Sequence, residues 1–256
     1  MNQAVIFAGG LGTRISEESH LRPKPMIEIG GKPILWHIMK LYGQYGINNF
    51  VICLGYKGYL IKEYFHNYFL HSSDITINIK ENSLDVHKES SEPWSITLID
   101  TGADTQTGGR LKRVGQFLDE EFCLTYGDGV SNVDIQALLQ AHRESGLMAT
   151  VTAVKPAGRY GALKLSESKV ISFEEKPSGD GHWINGGFFV CKKDVLELVE
   201  GDQTAWEAEP LMKLVEERNL GFYQHQGFWG SLDTMRDKAN LEAIWSTGAA
   251  PWKVWT

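Results

Sequence analysis

The run Val5-Ile6-Phe7-Ala8 passes without a polar residue into Gly9-Gly10-Leu11-Gly12-Thr13-Arg14, and Arg22-Pro23-Lys24-Pro25 follows before any helix has formed. A short unbroken apolar stretch that stops at a glycine cluster reads as a strand buried on both faces. Glycines let backbone N–H groups close on an anion, because no Cβ blocks the approach or forbids positive φ. Arg14 and the proline-braced Lys24, presented to one pocket, suit a ligand with several negative charges, such as a nucleoside triphosphate. The opening therefore argues for phosphate chemistry on an α/β scaffold.

The same rhythm continues. Phe50–Leu54 and Phe122–Tyr126 read as further buried strands. Residues 34–45, 60–69 and 135–143 carry helical apolar spacing, the last opened by Asp134 or its neighbours as cap. Strand–helix alternation with near-continuous apolar strands marks a mainly parallel sheet covered on both faces. Residues 75–80 and 95–100 look like alternating strands around a polar stretch, Glu81–Pro93. The second half is richer in strands (148–154, 162–165, 170–173 and 183–190) and closes with helices near 195–199, 209–217 and 235–245. The expected fold class is α/β: a mixed, mainly parallel central sheet flanked by helices, with a smaller β-rich part. No repeat or low-complexity linker divides the chain, so residues 1–256 read as a single domain.

Composition bounds the function. The 256 residues are 42% hydrophobic, enough for one large α/β core. A formal net charge of −7 argues against binding nucleic acid or an anionic membrane, both of which need a basic surface. Cys53, Cys123 and Cys191 are widely spaced in apolar strand-like runs, which reads as buried, reduced thiols. With no basic leader and no apolar run near about 18 residues, the expectation is a soluble cytoplasmic protein.

Three phosphate-binding designs can be compared with the first loop. A dinucleotide fingerprint needs GxGxxG entering a helix directly; here the spacing is Gly9-Gly10-x-Gly12, and Pro23 and Pro25 interrupt any long helix. A Walker loop ends in Gly-Lys-Ser/Thr; Gly12-Thr13-Arg14 does not, and Gly31-Lys32-Pro33 has proline where the hydroxyl belongs. An ordinary glycine turn explains the glycines but not the paired Arg14 and Lys24. Elsewhere, Asp128 sits between Gly127 and Gly129 just past a buried strand, where ligands of open α/β sheets gather. An isolated Asp-Gly is ordinarily a turn. Asp233, taken alone, reads as the N-cap of the helix that follows.

The fuller pattern runs Ala-Gly-Gly-Leu-Gly-Thr-Arg, then Arg22-Pro23-Lys24-Pro25-Met26, then Gly30-Gly31-Lys32-Pro33-Ile34-Leu35. It resembles the sugar-1-phosphate nucleotidyltransferases over essentially the whole chain. The resemblance implies their Rossmann-like fold, with residues 1–130 mainly the nucleotide-binding half and 131–256 mainly the sugar-phosphate half. It implies that Phe7, Ala8, Gly9, Gly10, Leu11, Gly12, Thr13, Arg14, Lys24 and Gly127 surround the nucleotide, with Arg14 and Lys24 as the catalytic cations. Thr105 and Arg110, in a polar loop entering a helix, are implied contacts of the base and ribose. Asp128 and Asp233 are implied ligands of Mg²⁺, which usually takes only one or two protein carboxylates. Glu174, Lys176 and Asn185 are implied partners of the sugar phosphate.

Within the family the resemblance is narrowest to members that join CTP and α-D-glucose 1-phosphate into CDP-glucose, releasing diphosphate, and that feed dideoxysugar assembly for bacterial surface polysaccharide. It also implies a homo-oligomer, a hexamer for example. The Trp-rich tail (Trp245, Trp252, Trp255) suits either a neighbouring subunit or the chain's own core. Two departures stand out. Ser231-Leu232 precede Asp233 where proline and methionine are common, which leaves the loop that holds Asp233 open to loosening, and His20-Leu21-Arg22 precede Pro23. The same chemistry with another base or sugar, as in a thymidylyl- or uridylyltransferase, is an alternative; so is a non-catalytic nucleotide-binding subunit. The latter typically lacks one of the four charged residues present here.

Overall fold

A computed structural model describes residues 1–88, 92–156, 162–166, 169–174 and 182–255. Its centre is a seven-stranded sheet. In chain order the elements that build the site are β1 (Gln3–Ala8), α1 (Ile34–Gln44), β2 (Asn49–Leu54), α2 (Gly58–His66), β3 (Ser95–Asp100), α3 (Thr107–Arg113), β4 (Glu121–Tyr126), β5 (Gly129–Ser131), α4 (Ile135–Ser145), β6 (Ala149–Val154), β7 (Ile184–Lys192), α5 (Glu209–Glu216), β8 (Leu220–His225), β9 (Trp229–Ser231) and α6 (Met235–Ser246). The sheet runs β8-β6-β7-β4-β1-β2-β3, and only β7 is antiparallel to its neighbours. The expected mixed, mainly parallel α/β sheet is what forms.

β1 lies inside this order because all six of its residues are buried. Ala4, Ile6 and Ala8 face one core layer and Val5 and Phe7 the other, as the two-residue period of a strand requires. The parallel register sets Phe7 beside Cys53 on one side and Tyr126 on the other. Three parallel strands thus end together at one sheet edge. The three cysteines are buried and unpaired, as expected. No described helix is long and apolar enough to cross a membrane.

Three expectations change. The helix expected over 60–69 is two, Gly58–His66 and Tyr68–Ser72, because Asn67 leaves the helical region at φ −99°, ψ 18°. Tyr68 then turns to accept a 2.8 Å hydrogen bond from the Trp36 indole. The polar stretch 81–93 is not all loop: Ser83–Lys88 pairs with Asp74–Asn78 as a hairpin, turned by Asn82 at φ 50°. β8 and the short strands β5 and β9 carry too little apolar patterning to be expected from sequence. The strands expected at 162–165 and 170–173 form, and Ala162–Ser166 pairs antiparallel with Lys169–Glu174.

The Trp-rich tail covers the chain's own core. Trp252 and Trp255 are buried around His37, which is itself buried in α1. The His37 Nε2–H donates to the Ile29 carbonyl at 2.8 Å, and Nδ1 accepts from the Trp252 indole at 3.4 Å. Burial holds the His37 imidazole down at about 4.

Candidate active site

Two loops of the site are shaped by glycines, Gly12 and Gly127, and a third by Pro23. Gly12 adopts φ 65° to start the turn Thr13–Ile15, and a Cβ there would lie 3.3 Å from the Lys24 Cβ. Pro23 (φ −64°, ψ 148°) delivers Lys24 into a second short turn, closed by Met26 N–H donating to the Pro23 carbonyl at 2.8 Å. Gly127 donates to the Phe7 carbonyl at 2.9 Å, and a Cβ on it would meet that oxygen at 2.7 Å and Pro25 Cγ at 3.0 Å. The end of β1, the end of β4 and the Pro25 turn therefore meet at one residue without a side chain.

Between them lies a cavity of about 250 Å³ lined by Phe7, Ala8, Gly10, Gly12, Thr13, Arg14, Ile15, Lys24, Pro25, Thr107, Tyr126, Gly127 and Asp128. At its edge sits an ion quartet. Lys24 Nζ lies 2.5 Å from Asp128 Oδ2 and 2.8 Å from Asp233 Oδ1, and Arg14 Nη2 is 2.8 Å from the same Asp233 oxygen. Burial alone would push the Lys24 amine down, but Asp128 and Asp233 outweigh it and hold the amine above its ordinary range. Burial would likewise push the Asp233 carboxyl up. The hydrogen bond and charge of Lys24, the Ser231 hydroxyl and the Arg14 charge outweigh that and hold it below the ordinary carboxylate range.

A three-residue ladder brings the two aspartates together. β5 and β9 pair antiparallel, Gly129 with Ser231, Val130 with Gly230 and Ser131 with Trp229, and Leu232 N–H donates to the Asp128 carbonyl at 2.8 Å. Asp128 and Asp233 thus flank the same end of one ladder. Asp233 is not the N-cap of α6. Thr234 fills that position, its hydroxyl accepting from Asp237 N–H and the Asp237 carboxylate accepting from Thr234 N–H at 2.9 Å. The Asp233 side chain is left for Lys24 and Arg14. In place of the proline common in the family, Ser231 is held in the ladder by its pairing with Gly129.

A smaller recess adjoins the cavity, lined in part by Tyr126, Asp128, Asn185, Gly186, Gly187 and Trp229. Tyr126 and Asp128 line both. The register of β6 and β7 shifts between Val151 and Ala153, so the segment around Gly186-Gly187 bulges from the ladder. Gly187, at φ 81°, has no Cβ to strike the Tyr126 ring, and Asn185 Oδ1 accepts from its N–H at 2.8 Å. The paired glycines here serve the bulge. Glu174 ends its strand, but its side chain lies outside the described residues, as does Lys176.

Thr105 and Arg110 are buried beneath the loops and do not line the cavity. The Arg110 guanidinium donates to the carbonyls of Leu54 (3.0 Å), Gly102 (2.7 Å), Gly9 (3.1 Å) and Ala103 (3.2 Å) and to the Thr101 hydroxyl (2.7 Å). It ties the first glycine loop to the loop after β3. Gly108 and Gly109 lie in the first turn of α3, where a Cβ would strike Thr204 O at 2.7 Å and the Asp202 Cα at 2.6 Å. Leu11 stands exposed at the loop tip. Thr107 and Tyr126 also line the cavity; each stands beside a motif residue, Thr107 before Gly108-Gly109 and Tyr126 before Gly127-Asp128, but was not itself among the expected site residues.

Two hard carboxylate oxygens that converge on one cation fit a divalent metal such as Mg²⁺. Among the described residues no group of three or more His, Cys, Asp or Glu gathers that could hold a metal ion.

A family model described as nucleotidyl transferase matches residues 3–236. The chain is 56% identical over 255 residues to the glucose-1-phosphate cytidylyltransferase of Salmonella typhi, covering 99% of each. It is 33% identical over 195 residues to the D-glycero-alpha-D-manno-heptose 1-phosphate guanylyltransferase of Campylobacter jejuni, covering 76% of this chain and 77% of that one. Among solved structures, HddC from Yersinia pseudotuberculosis complexed with GMP-PN superposes with a TM-score of 0.69 at 22% identity, covering 96% of this chain and 100% of that one. This last similarity speaks for the fold alone.

Proposed function

The chain belongs to the nucleotidyl transferase family, and from that premise we propose that it transfers a cytidylyl group from CTP to α-D-glucose 1-phosphate, giving CDP-glucose and diphosphate. The observation that carries the reaction class is the quartet of Arg14, Lys24, Asp128 and Asp233 at the edge of a glycine-lined cavity. The choice of CTP and glucose 1-phosphate rests on the 56% identity to a cytidylyltransferase over the full chain.

In this reading a phosphate oxygen of glucose 1-phosphate attacks the α-phosphorus of CTP in line. One P–O bond forms as the bond to diphosphate breaks. The attacking oxygen is already ionised, so no general base is needed, and catalysis is positioning plus charge neutralisation. The backbone of Gly10–Thr13 cradles the triphosphate. Arg14 and Lys24 neutralise it and the charge that develops at the α-phosphoryl group. Arg110 and Thr105, buried behind the cavity, serve the base and ribose indirectly, Arg110 by holding the carbonyls of Gly9 and of Gly102–Ala103 in place. Asn185, with Glu174 and Lys176, orients the sugar phosphate beside Tyr126. Mg²⁺ held by Asp128 and Asp233 would supply further charge neutralisation at the transferring group. The product suits dideoxysugar assembly for surface polysaccharide, and the enzyme works as a homo-oligomer in the cytoplasm.

The test is a panel of CTP, UTP, dTTP and GTP against glucose 1-phosphate and mannose 1-phosphate, read by diphosphate release. CTP with glucose 1-phosphate should give the highest kcat/KM. A preference for another nucleotide overturns the specificity, and no diphosphate from any pair overturns the activity.

A further inference from the structure

Resting on the reading of Asp128 and Asp233 as the metal-holding pair, we infer that Lys24 occupies these carboxylates in the nucleotide-free chain and excludes a divalent cation from them until the triphosphate draws Lys24 away. Lys24 thereby has two successive partners: the aspartates first, the triphosphate after. Metal binding is made conditional on nucleotide binding.

The geometry supplies the competition. One oxygen of each carboxylate that would hold a metal already accepts from Lys24, Asp128 Oδ2 at 2.5 Å and Asp233 Oδ1 at 2.8 Å. Asp233 Oδ1 also takes Arg14 Nη2 at 2.8 Å, which engages that oxygen twice. The Lys24 side chain is only 12% exposed, so this is not a loose surface pair.

The charges supply the condition. Two carboxylates and two cations sum to zero. A dication entering alone would leave two uncompensated positive charges beside a half-buried ammonium, where the effective dielectric constant is well below that of water. A triphosphate brings the missing negative charge and gives Lys24 and Arg14 new acceptors. Lysine suits the exchange, being a compact charge on a flexible stem. Because the two compete, whatever weakens the hold of Lys24 on the aspartates strengthens the metal, by up to the same factor while Lys24 is the main occupant.

Mn²⁺ is the probe, because its free concentration can be read by electron paramagnetic resonance with no turnover and no nucleotide present. Wild type, Lys24→Met, Lys24→Gln and Lys24→Arg are compared, each shown to be folded by circular dichroism and thermal melting. Lys24→Met and Lys24→Gln should bind Mn²⁺ about tenfold or more tightly than wild type without nucleotide. Lys24→Arg, which keeps the charge, should stay within a few-fold of wild type. Adding Asp233→Asn to Lys24→Met should remove the gain. Folded Met and Gln variants with wild-type Mn²⁺ affinity overturn the inference. The metal assignment fails separately, if the Asp128→Asn/Asp233→Asn enzyme keeps its divalent-cation-dependent release of diphosphate from CTP.

Discussion

Leu232 donates its backbone N–H to the carbonyl of Asp128 at 2.8 Å, and with this bond the β5–β9 ladder sets Asp233 beside Asp128. One ammonium group, that of Lys24, then reaches both carboxylates across 104 and 209 positions of sequence. The site is a product of pairing between distant segments, and its residues should fail in distinct ways.

Asp128→Asn and Asp233→Asn should each lower kcat/KM for diphosphate release by about 10²-fold or more, the scale of losing one electrostatic contact to the transition state. Both should remain folded by circular dichroism, since each changed group lies at the cavity edge. Full activity at saturating Mg²⁺ in either variant would remove that aspartate from the mechanism.

Gly127→Ala places a methyl group 2.7 Å from the Phe7 carbonyl and 3.0 Å from Pro25. Backbone is harder to displace than a side-chain tip, so the strain should cost about 1–3 kcal/mol in denaturant unfolding. KM for CTP should rise as well, because β1 and the Lys24 turn must part. An unchanged melting temperature together with an unchanged KM would contradict the close approach.

Arg110→Lys separates a clamp from a simple contact with the base. Lysine cannot span the carbonyls of Gly9, Leu54, Gly102 and Ala103. Several buried acceptors lose donors, and the ligand-free protein should be destabilised by about 2–4 kcal/mol. If ligand-free stability is untouched and only CTP affinity falls, Arg110 acts on the base alone.

His37 gives a pH signature. Its imidazole is held neutral at about 4 in the fold, against 6.5 as the ordinary value. Between those limits the unfolded chain binds the extra proton, so stability falls as pH falls. The contribution is complete above about pH 6.5 and is lost as pH approaches 4, amounting to about 3 kcal/mol. Denaturant unfolding at pH 7 and pH 4.5 should show a smaller loss in His37→Gln than in wild type, the remaining slope coming in part from His142 and His225, which burial also holds low. An equal slope in both would place the pH dependence elsewhere.

Much of the fold is legible because buried parallel strands announce themselves locally. β1, β2 and β4 are unbroken apolar runs, and α1 and α4 repeat at helical spacing. β8 escaped notice because Phe222 and its neighbours leave one face exposed at the sheet edge. Asn67 ends a helix by a change of backbone angles that composition does not signal. Within the site, Arg14, Lys24, Asp128 and Asp233 stood out by motif. Tyr126 did not, since an aromatic residue at a strand end looks like core until its neighbours are placed.

From the sequence alone follow the strand–glycine-loop opening, the two cations and the two carboxylates, because each is written within a window of about ten residues. The Gly9–Arg14 loop carries its argument for a polyanion whichever strand lies beside it. The tertiary structure alone decided that Lys24 lies between Asp128 and Asp233, that Thr234 rather than Asp233 caps α6, and that the tryptophans close over His37. These depend on the order of strands in the sheet and on a ladder of three residue pairs. Such contacts come from packing between segments far apart in the chain, and no local propensity encodes them.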